Sequence, residues 1–232
     1  MIRKIIGFHR LVWTIALFLL TGSTIESSSD QKYETIIIGT QEWMAYNLQT
    51  TFFRNGEAIP RFTDYESWED LGNKQIAAYG YNARYDDEIS SRNFLYNWYA
   101  VNDPRGLCPT GFRVPSYDDF SRLIDHLAAQ LQDNDGLTDK SEKDYLDFGL
   151  TMPGWCCMQY DDDMDIYFDE GNNEAFWINT ELSSKEIDSY YLCPESAWIL
   201  DVGRSVRTDS DGVFFNPEST KKMAFSVRCI KE

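Results

Sequence analysis

Asp161, Asp163, Asp165 and Asp169 stand at positions 1, 3, 5 and 9 of a register inside YDDDMDIYFDEGNNE (160–174), the densest acidic run in the chain. Carboxylate oxygens so spaced suit calcium, a hard cation that prefers oxygen ligands. A true EF-hand is excluded, because Ile166 stands where the sharp turn needs glycine and Asn172 where the bidentate glutamate belongs. The expectation is a looser calcium loop, set against a solvated acidic surface. Calcium is the one cofactor candidate.

Nucleophilic catalysis has little to work with. The chain has two histidines. His9 lies in the N-terminal apolar stretch, and His126 falls off the apolar face of its helix, on the expected solvent side. A Ser-His-Asp or Cys-His relay therefore lacks a base. Paired carboxylates for glycoside hydrolysis are not singled out by any context. The five cysteines read as disulfide partners in an exported chain, two pairs and one odd thiol. Zinc is poorly served, since the only close pair is Cys156 and Cys157. Adjacent cysteines pair with each other only under strain, which suggests that one of them reaches Cys193. A redox pair at Cys156 and Cys157 is the alternative.

Aromatic residues offer a different chemistry. Trp68, Tyr79, Tyr81, Tyr85, Trp155, Tyr160, Trp177 and Tyr190 lie in or beside turn-rich segments. Aromatic faces beside acids and amides suit sugar rings, stacking on C–H faces while polar groups bond the hydroxyls. Trp155, Tyr160, Trp177 and Tyr190 are the candidate ligand-binding set; packing of the loop-rich half of the domain is the competing use.

The elements that position these residues begin after a leader. MIRKIIGFHRLVWTIALFLLTGS has Arg3, Lys4 and Arg10, an apolar run over 11–20 and a small-residue end, the order of a secretory signal peptide over 1–23. An uncleaved anchor is the alternative. No cysteine follows the apolar run before Cys108, which argues against a lipoprotein. Residues 24–32 read as a tether, and 33–232 as a single domain. The formal charge is −17, and loss of the leader makes it about −20. Nucleic acid and anionic lipid surfaces are repelled.

Thr35–Ile38 reads as a strand turning back at Gly39-Thr40, with Trp43 and Met44 as core anchors. Residues 50–91 read as irregular. The strongest helix starts at Ser116, with Asp119 completing a capping box. Phe120, Leu123, Ile124, Leu127 and Leu131 share one face. EAFWINTEL, SAWILDV and AFSVRCI each read as one short strand. One helix followed by antiparallel strands predicts an α+β fold.

The segments IIIGTQEWMAYNL, TFFRNGEAIP, LYNWYAVNDPRGLCPTGFRVPSYDDFSRLIDHL, MPGW, FWINTEL and FSVRCIKE occur in that order over 33–232. Together they resemble the Fibrobacter succinogenes major paralogous domain (FISUMP) family of exported bacterial proteins. TMPGWCCMQY and FWINTEL depart from the family's usual Leu-Pro-Gly-Gly-Tyr-Arg-like and Trp-Trp-Ser-Ser-Thr-like stretches, so a ligand surface there would differ in chemistry.

The resemblance implies a C-type-lectin-like fold related to the formylglycine-generating enzymes: one main amphipathic helix, short antiparallel strands, long loops and a disulfide staple. It also implies that Cys108 pairs with Cys229, making GLCPTGFRVPS a stapled corner. The oxidase activity of those enzymes needs two cysteines shortly before the last strand, and 195–228 holds none. The functional expectation is a non-catalytic recognition domain, secreted, periplasmic or at the cell surface of a bacterium, without a stable membrane span once mature. Its partner is a glycan or glycoconjugate. A structural or adhesion module binding a surface protein is the alternative, and an oxidase of the formylglycine-generating type the third.

Overall fold

The computed structural model describes residues 33–81, 94–132, 156–157, 167–168, 173–190, 192, 194–204 and 211–232. Its first element is a tight hairpin, β1 (Thr35–Ile38) and β2 (Gln41–Met44), with Ile38 opposite Gln41. Gly39, at the first of the two turn residues, has φ +61°, a left-handed value that L-residues with a Cβ rarely take. Trp43 and Met44 are both buried.

Residues 65–73 depart from the irregular reading. They form helix α1 (Tyr65–Asn73), capped by Asp64, whose Oδ1 accepts from Ser67 N at 2.7 Å while Ser67 Oγ accepts from Asp64 N at 3.2 Å. An Asp-x-x-Ser box closes the same two donors as the familiar Ser-x-x-Glu. Then follow β3 (Tyr79–Gly80), β4 (Leu95–Asn97) and the one-turn helix α2 (Trp98–Val101). Asn97 joins them: its Oδ1 accepts from Ala78 N and Ala100 N, and its Nδ2 donates to Ile76 O. That arrangement satisfies a buried amide completely enough to leave it in the core.

β5 (Phe112–Arg113) leads into α3 (Tyr117–Gln132), the longest helix among the described residues. The capping box forms as the spacing requires: Ser116 N donates to Asp119 Oδ2 at 2.8 Å and Asp119 N to Ser116 Oγ at 3.3 Å. Phe120 and Leu123 are buried, and Ile124 and Leu127 pack at the edge of the same cluster; Leu131 lies outside the residues whose side chains are described. His126 is half-buried rather than on the solvent side. A Cβ placed on Gly39 would stand 3.1 Å from its ring, so the turn's glycine also lets the hairpin approach α3.

The remaining elements are β6 (Cys156–Cys157), β7 (Tyr167–Phe168), β8 (Asn173–Trp177), α4 (Ser184–Tyr190), β9 (Ser196–Arg204), β10 (Asp211–Thr220), β11 (Ala224–Phe225) and β12 (Ile230–Lys231). The strands make three sheets, ordered β1-β2-β12-β5, β10-β9-β8 and β3-β4-β11-β6-β7, and every paired strand is antiparallel. The fold is thus mixed α and β. β9 and β10 are longer than the short strands expected, and their ladder is interrupted between Asn216 and Ser219, around Pro217. Proline has no N–H to donate to a ladder, so it is tolerated at such a break.

AFSVRCI is not one strand. Ala224 and Phe225 belong to the five-stranded sheet, Ser226 exchanges backbone bonds with β8, and Ile230 pairs with β2 and β5. Between them, Val227 O accepts from Leu48 N and Cys229 O from Met44 N. Each of residues 224–230 is buried, because the segment passes from sheet to sheet through the core instead of presenting one wet face. Arg228, 2% exposed, is accommodated by Asn47 Oδ1, which accepts from its Nε and Nη2 at 2.9 and 2.6 Å.

Close packing also fixes Gly80. A Cβ there would lie 2.1 Å from the Phe62 ring, and Phe62 is itself buried. Gly80→Ala is expected to destabilise by about 1–3 kcal/mol through overpacking, read as a lower melting temperature. An unchanged midpoint would mean that the ring moves aside freely.

Candidate functional site

Gly106 and Gly111, with φ +79° and +83°, turn the chain twice on its way into β5. Cys108 between them is bonded to Cys229, with Cα atoms 6.0 Å apart. Arg54 holds the same corner from outside. Its Nε donates to Cys108 O at 3.0 Å and its Nη2 to Phe112 O at 2.7 Å, while Arg54 N donates to Gly106 O at 2.8 Å. Glycine makes the bends, and a guanidinium takes up the carbonyls they leave.

Beyond the corner lies a polar cleft of about 410 Å³. Thr40, Gln41 and Glu42 reach it from the turn and start of β2, Arg113 from β5, Asp119 and Arg122 from the first turns of α3, and Ile230, Lys231 and Glu232 from β12 and its end. The sheet order explains the convergence, since β12 is hydrogen-bonded between β2 and β5 and β5 feeds α3.

Asp119 organises one wall. Its side chain is 1% exposed, yet it accepts from Arg113 Nη1 and Nη2, Ser116 N, Ser116 Oγ and Arg122 Nη2. Burial by itself would raise its pKa; the bonds from Arg113 and Ser116 and the Arg113 charge outweigh that and hold the carboxyl well below the usual carboxylate range. Asp119 is a fixed negative charge. Its backbone oxygen accepts from Gln41 Nε2 at 3.0 Å, which ties the hairpin to the helix.

A second ion pair also lines the cleft. Lys231 Nζ donates to Glu42 Oε1 and Oε2 at 2.8 and 2.7 Å, and Thr35 Oγ1 donates to Oε1 at 3.0 Å. The Lys231 bond first, and then the Thr35 bond, lower the Glu42 pKa. The cleft is therefore lined by guanidinium and ammonium donors together with carboxylate acceptors, each bonded to a protein partner.

Of the residues nominated for binding, Trp177 lies elsewhere. Trp177 is fully buried: its Nε1 donates to Tyr96 O, and its ring meets Trp98 and Phe225 edge-on at 5.5 and 4.7 Å. It is a core residue, which corrects its assignment to a ligand surface. Trp68 and Tyr79 are buried as well. A loop-adjacent aromatic is thus poor evidence of exposure in a fold whose loops close over its core. Tyr190 is the last residue of α4. Trp155, Tyr160, Asp161, Asp163, Asp165, Asp169 and Cys193 lie outside the described residues. Cys156 pairs with Ala224 and Phe168, and Cys157 with Tyr167, through the backbone of β6. Among the described residues no group of three or more His, Cys, Asp or Glu side chains is placed to hold a metal, and no helix is long and apolar enough to cross a membrane.

None of the cleft residues was nominated from sequence. The one available signal was RVPSYDDFSR: Arg113 sits six residues before Asp119 and Arg122 three after it, and i,i+3 spacing puts Asp119 and Arg122 side by side on a helix.

The family model for the Fibrobacter succinogenes major domain (Fib_succ_major) matches residues 36–231. The chain belongs to that family. No curated protein and no solved structure matches it. In this member of the Fibrobacter succinogenes major domain family the match runs from β1 through β12, so it takes in the corner and most of the cleft.

Proposed function

We propose that the protein is an exported, non-catalytic recognition module of C-type-lectin-like fold, and that it binds carbohydrate in the corner cleft. The observation that carries this reading is the cleft's lining: fixed donors and acceptors stand together in it, and each carboxylate is saturated or paired. Such a lining suits a ligand rich in hydroxyls, each of which both donates and accepts. It ill suits proton transfer, because Asp119 and Glu42 are held ionised below the range a general acid needs. Cys229 is spent in the bond to Cys108, which speaks against an oxidase that needs a reactive thiol near the final strand. The long helix, the antiparallel sheets and a disulfide running from ahead of the helix to the last strand support the lectin-like comparison.

Calorimetric titration of the oxidised protein with bacterial, plant and host glycans tests the reading. One glycan class is expected to saturate, and Glu42→Ala to weaken its binding about tenfold by removing a charged hydrogen-bond partner. Repeating the titration in chelator asks whether calcium held by Asp161, Asp163, Asp165 and Asp169 takes part. Failure of every glycan class would overturn the carbohydrate reading and favour a module that binds a surface protein.

A further inference from the structure

Arg122 is the least committed cation of the cleft. Its side chain is 62% exposed, and its hydrogen bonding among the described residues is one contact, Nη2 to Asp119 Oδ1 at 2.6 Å. Nε and Nη1 make no such bond, and Nη2 has a second N–H beside that of Nε or Nη1, so one edge of the guanidinium keeps an open pair of N–H groups. Asp119 is buried and bonded to Arg113 on its other side, so it anchors the Arg122 guanidinium at the cleft wall while leaving that edge open. Two N–H groups of one guanidinium match the two oxygens of one carboxylate.

The charges around it narrow the class of ligand. Glu42 is matched by Lys231, Asp119 by Arg113 and Arg122, and Glu232 approaches Arg54 at 3.7 Å. The cleft is locally balanced within a chain of net charge −17. The surrounding field disfavours a free small anion, and a dianionic phosphate or sulfate would also meet Glu42 and Glu232. A monoanion carried on a hydroxyl-rich body avoids both penalties, because the rest of the cleft bonds its hydroxyls.

Resting on the carbohydrate reading above, we propose that the ligand is an acidic saccharide and that the carboxylate of a hexuronate unit docks on the open edge of Arg122. Arg122 then sets specificity, while Asp119 positions it.

Calorimetry with otherwise neutral oligosaccharides carrying one galacturonate or one glucuronate unit, each as free acid and as methyl ester, separates this proposal from the reading it rests on. At least one free acid is expected to bind about tenfold or more tightly than its ester. Arg122→Gln should abolish that preference with the melting temperature nearly unchanged, since Arg113 and Ser116 still satisfy Asp119, and Arg122→Lys should restore only part of it. Equal binding of acid and ester, or binding of neutral glycans alone, would overturn the carboxylate subsite and leave the carbohydrate reading standing. An Arg122→Gln loss equal for acid and ester would overturn it too. Failure of all saccharides, acidic and neutral, would remove both.

Discussion

Replacing Cys108 and Cys229 together by serine is expected to lower stability by about 4–5 kcal/mol, because the bond closes a loop with a sequence separation of 121. Against a typical total of about 5–15 kcal/mol, that is between about a third of the stability and nearly all of it. The effect reaches the cleft. Cys229 precedes Ile230 and Lys231, which pair with β2 and β5, while Cys108 stands four residues ahead of Phe112, the partner of Lys231. Freeing the two sulfurs lets β12 and β5 separate, and Arg113, Lys231 and Glu232 lose their common frame. Denaturant unfolding of the oxidised protein and the double variant measures this directly. A midpoint shift worth less than about 1 kcal/mol would mean that Arg54 and the β12 ladder alone hold the corner.

Asp119→Ala has the next largest expected cost, about 3 kcal/mol. It removes the side-chain half of the capping box, leaves Ser116 N without its acceptor and strands the half-buried Arg113 beside a void. The pH dependence separates charge from shape. The folded pKa lies below the unfolded one, so the carboxylate's contribution is fully present above about pH 4 and declines as pH falls from there toward the depressed folded value. Wild type should lose stability between pH 5 and pH 3 more steeply than Asp119→Asn, in which that group no longer titrates. Parallel slopes for the two proteins would show that Asp119 is not the linked group.

What the sequence disclosed and what it concealed divide along the range of the interactions. The β1–β2 hairpin and the start of α3 were legible because Gly39, Ser116 and Asp119 act on neighbours a few residues away. Helix α1 was missed although its rules are equally local: its apolar residues Tyr65, Trp68 and Leu71 span barely two turns, and its Asp64–Ser67 cap has an unusual composition. AFSVRCI satisfied the pattern for a strand, but a segment buried on every side shows no alternation that would tell one strand from a passage between sheets.

The cleft was hidden for a related reason. Glu42 and Lys231 are 189 residues apart, and charged residues at the ends of short strands read individually as solvated surface. Asp119 was legible as a cap, and capping alone gave no hint that the same carboxylate also anchors Arg113 and Arg122. Trp177 misled in the opposite sense, because its turn-rich surroundings suggested exposure where tertiary packing with Trp98 and Phe225 had closed over it.

Where the ligand sits decides whether the corner cleft is the recognition site. An amide-shift titration of isotope-labelled protein with the tightest-binding saccharide is the most direct test. The predicted result is shifts concentrated at Thr40, Gln41, Glu42, Arg113, Asp119, Arg122, Lys231 and Glu232. Saturable binding whose largest shifts fall away from these residues would contradict the cleft as the recognition site.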